Sequence, residues 1–238
     1  MKSFFSMGAL FVMGTFILLG QPEKQLGQAE KQWEPFILMS GSGPALKEAG
    51  FDLNDPESLI LAARHEDSVD SPLIRQGAAY GLRMFPPSPR LIGELMRLVD
   101  DPNGSVAIMA CQSLAKWNDR SWMDRARARL GSFGNGHNQV AMSRVLAEMG
   151  DHTGWPLIKE NLTRQYYATA ALVATRFFVG MKDSEGKEVD IAREVELMAP
   201  HIEAGAQHFI GAALLNIREE QQRKKEGRPP PPDTFTRF

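Results

Sequence analysis

The side chains that could bind a metal or attack an electrophile are few, and their spacing is wrong for it. The histidines are His65, His137, His152, His201 and His208. A helical zinc site needs two histidines four residues apart with an acid between them, so that both ring nitrogens leave one face of the helix. No pair here has that spacing, so no metal is expected. Cys111 is the single cysteine, which excludes an intramolecular disulfide and any cysteine-cluster site. It falls among small residues in a helical pattern, where a thiol packs as a small hydrophobe. Arg125, Arg127 and Arg129 form a basic run that could meet phosphate. Asp119 and Asp124 lie beside it and the chain carries a net charge of −2. The run therefore reads as a solvated helix face, and no nucleic-acid partner is expected. The stretch from Asp100 to Ser105 is too short for a calcium loop and reads as a turn.

The elements that position everything else are set by a recurring signature. It reads Ile74-Arg-Gln-Gly-Ala-Ala-Tyr-Gly-Leu82, then Val106-Ala-Ile-Met-Ala-Cys-Gln-Ser-Leu114, then Asn138-Gln-Val-Ala-Met-Ser-Arg-Val-Leu146. Successive starts are 32 residues apart, and looser copies begin at Tyr166 and His208, after intervals of 28 and 42. Self-similarity at such a period marks stacked helical hairpins. Helix starts lie at Asp55-Pro56-Glu57 and Ser88-Pro89-Arg90, where a capping side chain precedes a proline. The pattern predicts first helices over about 56–65, 89–99, 121–130, 155–163 and 189–203. Second helices are predicted over about 72–85, 105–117, 137–149, 165–179 and 206–225. Short connections suit antiparallel neighbours. The longest interval holds the polar loop Lys182-Asp-Ser-Glu-Gly-Lys-Glu188.

Within the second helices, position 5 is Ala78, Ala110, Met142, Ala170 and Ala212, and position 6 is Ala79, Cys111, Ser143, Ala171 and Ala213. Apart from Met142 these are small, which lets helices approach closely. Position 12 is a bulky plug: Phe85, Trp117, Met149 and Phe177. Two copies end alike, as Leu114-Ala-Lys-Trp-Asn-Asp119 and Leu146-Ala-Glu-Met-Gly-Asp151, so Asn118 and Gly150 are expected to close their helices in the left-handed conformation. Positions 3, 7 and 11 advance by four and share a face beside the core stripe. They include Gln76, Tyr80, Gln112, Lys116, Arg144, Glu148 and Arg176. Tyrosine and arginine among adaptable polar groups suit protein recognition, so these seven are the candidate partner-binding residues.

These repeats resemble HEAT-repeat proteins, in particular the short HEAT-like repeats of the phycobiliprotein-lyase type. The resemblance runs from about Asp55 to Glu219 and is strongest around Ile74, Val106 and Asn138. It implies a curved scaffold with second helices on its concave side, and no single activity. The arginine usual at position 2 occurs only as Arg75. His65-Glu66 occurs once, which does not support a di-iron site of the HEAT hydroxylase kind.

The ends differ from the middle. Lys2 precedes a charge-free apolar run from Phe4 to Gly20. A basic start before an apolar run is the export pattern, with the body on the extracytoplasmic side. As a helix the run is about 25 Å long against a hydrocarbon core of about 30 Å, so residues 1–20 read as either a cleaved signal peptide or an N-terminal anchor. Residues 21–54 read as a tether, with Trp33–Met39 as a docking segment, and residues 55–226 as the repeat domain. Residues 227–238 form a proline-rich tail, stiff and non-helical.

The sequence thus predicts an all-α, HEAT-like α-solenoid of about five helical hairpins. The function expected of it is non-catalytic: a cofactor-free protein–protein scaffold, adaptor or assembly factor outside the cytoplasm. The alternatives are a bilin-lyase-type enzyme or accessory with a tetrapyrrole groove, and a HEAT-like nucleic-acid binder.

Overall fold

A computed structural model describes residues 41–229 other than Asp67 and Gly134. The apolar run 4–20 and the Trp33–Met39 segment lie outside the described residues, as does the tail from Pro230. The described part is all-α. Its helices are α1 (Ser42–Glu48), α2 (Pro56–Ala63), α3 (Ser71–Leu82), α4 (Pro89–Leu98), α5 (Gly104–Lys116), α6 (Met123–Arg129), α7 (Gly136–Glu148), α8 (Trp155–Leu162), α9 (Ala168–Ala174), α10 (Ile191–Met198) and α11 (Ile210–Lys225). Short 3-10 turns extend α6 and α9, follow α10 and lead into α11. Among the described residues there is no β-strand, only an isolated bridge between Lys182 and Glu188. No described helix is long and apolar enough to cross a membrane.

Helix starts follow from local chemistry. The first backbone N–H groups of a helix have no partner within it, so a side-chain acceptor just before them stabilises the start by about 1 kcal/mol. Asp55 accepts from the Glu57 and Ser58 N–H groups, and Ser88 accepts from Leu91. Asn103 and Asn135 do the same for α5 and α7. The ends are equally local. Asn118 (φ 57°) and Gly150 (φ 86°) are both left-handed. In each case the next residue, Asp119 or Asp151, donates its N–H back to Leu114 or Leu146 at 3.0 and 2.9 Å. Helix α1 ends the same way: Gly50 is left-handed and Phe51 donates to Leu46 at 3.0 Å.

Packing alternates between two sets of helices. Helices α3, α5, α7 and α9 are successive neighbours, with α1 against α3 and α11 touching α9. Helix α2 backs α3, α4 backs α5, and α8 backs α7 and α9. Small residues at the crossings allow this: Ala78, Ala79, Ala110, Cys111 and Ser143 are fully buried. Ser113 Oγ donates to the Ala79 carbonyl at 2.8 Å, tying α5 to α3. Helices also approach closely at Gly77 and Gly154. A Cβ on Gly77 would lie 2.6 Å from Leu46 Cδ1, and one on Gly154 would lie 2.4 Å from Ser143 Cβ.

Two apolar clusters form the interior. The first runs from Leu46 through Trp122 to Met149, and the second from Val140 through Phe178 to Ile217. Helix α7 gives Ala141, Met142, Val145 and Leu146 to the first and Val140 and Ala147 to the second.

Arginines join the layers along the outside. Arg75 Nε donates to Asp101 Oδ2 at 2.7 Å and its Nη1 to the His65 carbonyl at 2.9 Å. Arg127 Nε donates to Asp151 Oδ2 at 2.8 Å. Arg129 donates to the Val99 and Asp101 carbonyls and stands 5.2 Å from the Phe133 ring centroid. Arg125 pairs with Asp100 at 2.8 Å. Arg125 and Arg127 are exposed, in keeping with the solvated helix face expected of this run, and Arg129 is half-buried. These side chains remain partly wet, but each reaches an acidic side chain or carbonyl in a neighbouring connection.

Candidate functional site

The second helix of each pair carries the candidate residues, and the structure sorts them. Tyr80 on α3, Gln112 on α5 and Arg144 on α7 are 7%, 5% and 1% exposed. The Glu148 side chain is nearly as dry, Arg176 and Gln76 are half-buried, and Lys116 is exposed. The expectation that position 7 lies beside the core on an open groove is therefore corrected: these three side chains are interior.

Two groups emerge within this row. At one end the Arg83 guanidinium stands 3.8 Å from the Tyr80 ring centroid, a cation–π contact. At the other, Arg144 Nε donates to Glu148 Oε1 at 2.8 Å, one helical turn along α7. Phe177 joins that group. Its ring centroid is 4.8 Å from the Arg144 guanidinium carbon and 4.6 Å from that of Arg176. The structure thus brings together Arg144, Glu148 and Arg176, and places Tyr80 apart with Arg83.

Burial is the dominant influence on the Glu148 carboxyl and pushes its pKa up to about 7, although the charges of Arg144 and Arg176 and the Arg144 hydrogen bond pull it down. Glu148 Oε2 is buried and has no hydrogen-bond partner among the described residues. An acid of this kind changes charge near neutrality inside a cationic setting. It has no nucleophile beside it among the described residues.

Arg83 and Phe177 were not among the expected site residues. Arg83 lies three residues after Tyr80, the spacing that places two side chains on one helix face. Phe177 was legible only as a bulky plug at position 12. Nothing in the sequence shows that its ring meets two guanidinium groups.

Two other reactive groups are removed from solvent, Cys111 fully and His152 in part. Burial pushes the Cys111 thiol well above its ordinary range. His152 is lowered, chiefly by burial and then by the Lys224 charge. Its ring lies 5.7 Å from that of Phe178. Among the described residues no group of three His, Cys, Asp or Glu side chains could hold a metal ion. Comparisons of the chain with protein-family models, with curated proteins and with solved structures give no match.

Proposed function

We propose that this chain is a protein-binding scaffold, an adaptor or assembly factor without catalysis of its own. Its architecture is read as a HEAT-like solenoid of about five hairpins. The observation that carries this reading is the register of one face. Neighbouring helices α3, α5 and α7 carry Tyr80, Gln112 and Arg144 at the same repeat position, all three buried. Lys116, Glu148 and Arg176 continue the face one turn further on. The buried row sets the spacing of this face, and the exposed Lys116 with the half-buried Gln76 and Arg176 gives it polar groups suited to recognising a polypeptide. The Lys2 and Phe4–Gly20 pattern supports work on the extracytoplasmic side of a membrane, with residues 4–20 as signal or anchor.

The test is site-specific photo-crosslinking in cells, using the full-length chain. A probe at Lys116 samples the row, and a probe at Arg90 on α4 samples the opposite layer. A discrete protein adduct from Lys116 and none from Arg90 is the expected result. Equal labelling from both, or none from Lys116, would overturn the reading.

A further inference from the structure

Helix α11 ends the row of inner helices, and it is buried along one side only. Its buried residues are Ala213 and Ile217, and its neighbours are α9, α10 and the turns beside them. At about 100° per residue, Leu215 lies on the opposite side. It is 60% exposed at the middle of the helix. Gly211 and Ala212 one turn before it, and Arg218 and Glu219 one turn after it, are exposed on that same side. A Cβ added to Gly211 would meet nothing within 4 Å. Gln222 continues the side a turn further on. His208 and Phe209 are exposed in the turn that leads into the helix, with ring centroids 3.9 Å apart. An apolar centre between polar ends, along a helix of about 24 Å, is the pattern of a face that packs against another helix.

We infer that this face pairs with α11 of a second copy of the chain, laid antiparallel with a two-fold axis at Leu215. What selects a second copy is the fit of the face to itself. Its spacing is the same in both directions from Leu215. Three and four residues back lie Ala212 and Gly211, and three and four residues on lie Arg218 and Glu219. A two-fold axis at Leu215 therefore sets Gly211 against the partner's Glu219 and Ala212 against the partner's Arg218. The half with small side chains receives the half with long ones, twice. The charges agree. Arg218 stands 3.7 Å from Glu196 of α10, so the acid left to a partner is Glu219. The antiparallel arrangement brings it to the partner's helix N-terminal half, which carries His208 and no acid. A parallel pairing fails on both counts. It sets Gly211 on Gly211, which leaves a gap, and Glu219 on Glu219, which sets like charges together.

A pairing in which each chain offers the same patch closes on itself, so it makes a dimer and not a filament. One helix from each chain is a small interface, and dissociation in the micromolar range is expected. The inference concerns α11 and does not rest on the scaffold reading.

The experiment uses the purified full-length chain in mild detergent. Sedimentation equilibrium well above micromolar concentration should show a dimer, and Leu215→Glu should weaken it about tenfold or more with helicity unchanged. Single cysteines joined by a short bis-maleimide read the geometry. Cys111 is fully buried, and the native chain serves as the blank. A mixture of Gly211→Cys and Glu219→Cys chains should crosslink severalfold more than either alone. A monomeric native chain, or a dimer indifferent to Leu215→Glu, would overturn the inference. So would Gly211→Cys chains that crosslink to one another as well as to Glu219→Cys.

Discussion

Arg144 and Glu148 form a nearly dry ion pair, with side chains only 2% and 6% exposed and one hydrogen bond of 2.8 Å between them. Such a pair specifies geometry more than it stabilises, because both charges have left water.

The carboxyl of this pair gives a pH signature. Its folded pKa, about 7, lies above its ordinary 4.5. The folded state therefore holds the proton more tightly between these values. The protonated form favours folding, and that contribution is lost as pH rises through 7. Glu148→Gln should remove this dependence. Relative to that variant, the native chain should lose on the order of 2–3 kcal/mol between about pH 4.5 and pH 8. Urea unfolding of both proteins across the range measures it, and parallel curves would place the charge of Glu148 in water.

The Arg75–Asp101 pair should behave differently from the exposed pairs. Both residues are buried, and Asp101 Oδ1 also accepts the Asn103 N–H at 2.8 Å. Asp101→Ala leaves a buried guanidinium uncompensated and should cost roughly 3–5 kcal/mol. Arg90→Ala, which breaks a surface pair with Glu57, should cost under about 1 kcal/mol. Similar losses in urea unfolding would show that burial does not separate the two.

Two glycines make a matched test of packing. A Cβ at Gly154 would lie 2.8 Å from the Ser143 Cα, a backbone atom that cannot step aside cheaply. Gly154→Ala should cost on the order of 1–3 kcal/mol. Gly93 lies within α4, exposed and with nothing within 4 Å of its added Cβ. Gly93→Ala should raise stability by up to about 1 kcal/mol. The two melting temperatures should move in opposite directions.

Cys111 should be inert until the chain opens. Its thiol is fully buried and its pKa is raised by that burial. Modification by a small thiol reagent should be at least about 100-fold slower in buffer than in denaturing urea. Equal rates would place the thiol at the surface.

Much of the local structure was legible because its causes are local. Asp55-Pro56 and Ser88-Pro89 are caps wherever they occur before a helical pattern. Asn118 and Gly150 close helices because a left-handed residue followed by a returning N–H needs only its own turn. The same logic, applied to Leu46 and Gly50, would have revealed α1, which the broken pattern around Ser40–Pro44 concealed. The fourth second helix was expected over 165–179, but α9 spans only Ala168–Ala174. Tyr166 is left-handed (φ 73°) and Thr175–Phe178 tightens to 3-10 geometry. The candidate row was legible as a register and not as an environment. Periodicity states which residues share a face of α3, α5 and α7, but not that Tyr80, Gln112 and Arg144 are buried there. The meeting of Arg144, Arg176 and Phe177 is likewise a contact between helices. No spacing along one helix encodes it.

Helix α7 has one side in each apolar cluster, and no other described helix contributes buried residues to both. The described residues therefore form two blocks with α7 as the main wall between them, and Leu157 of α8 also packs against the first. Loosening of the block from Trp155 onward strips Val140 and Ala147 but leaves Met142, Val145 and Leu146 seated, so the first block keeps its edge. Loss of α7 itself removes the boundary of both at once. A substitution in α7 therefore reaches both clusters directly.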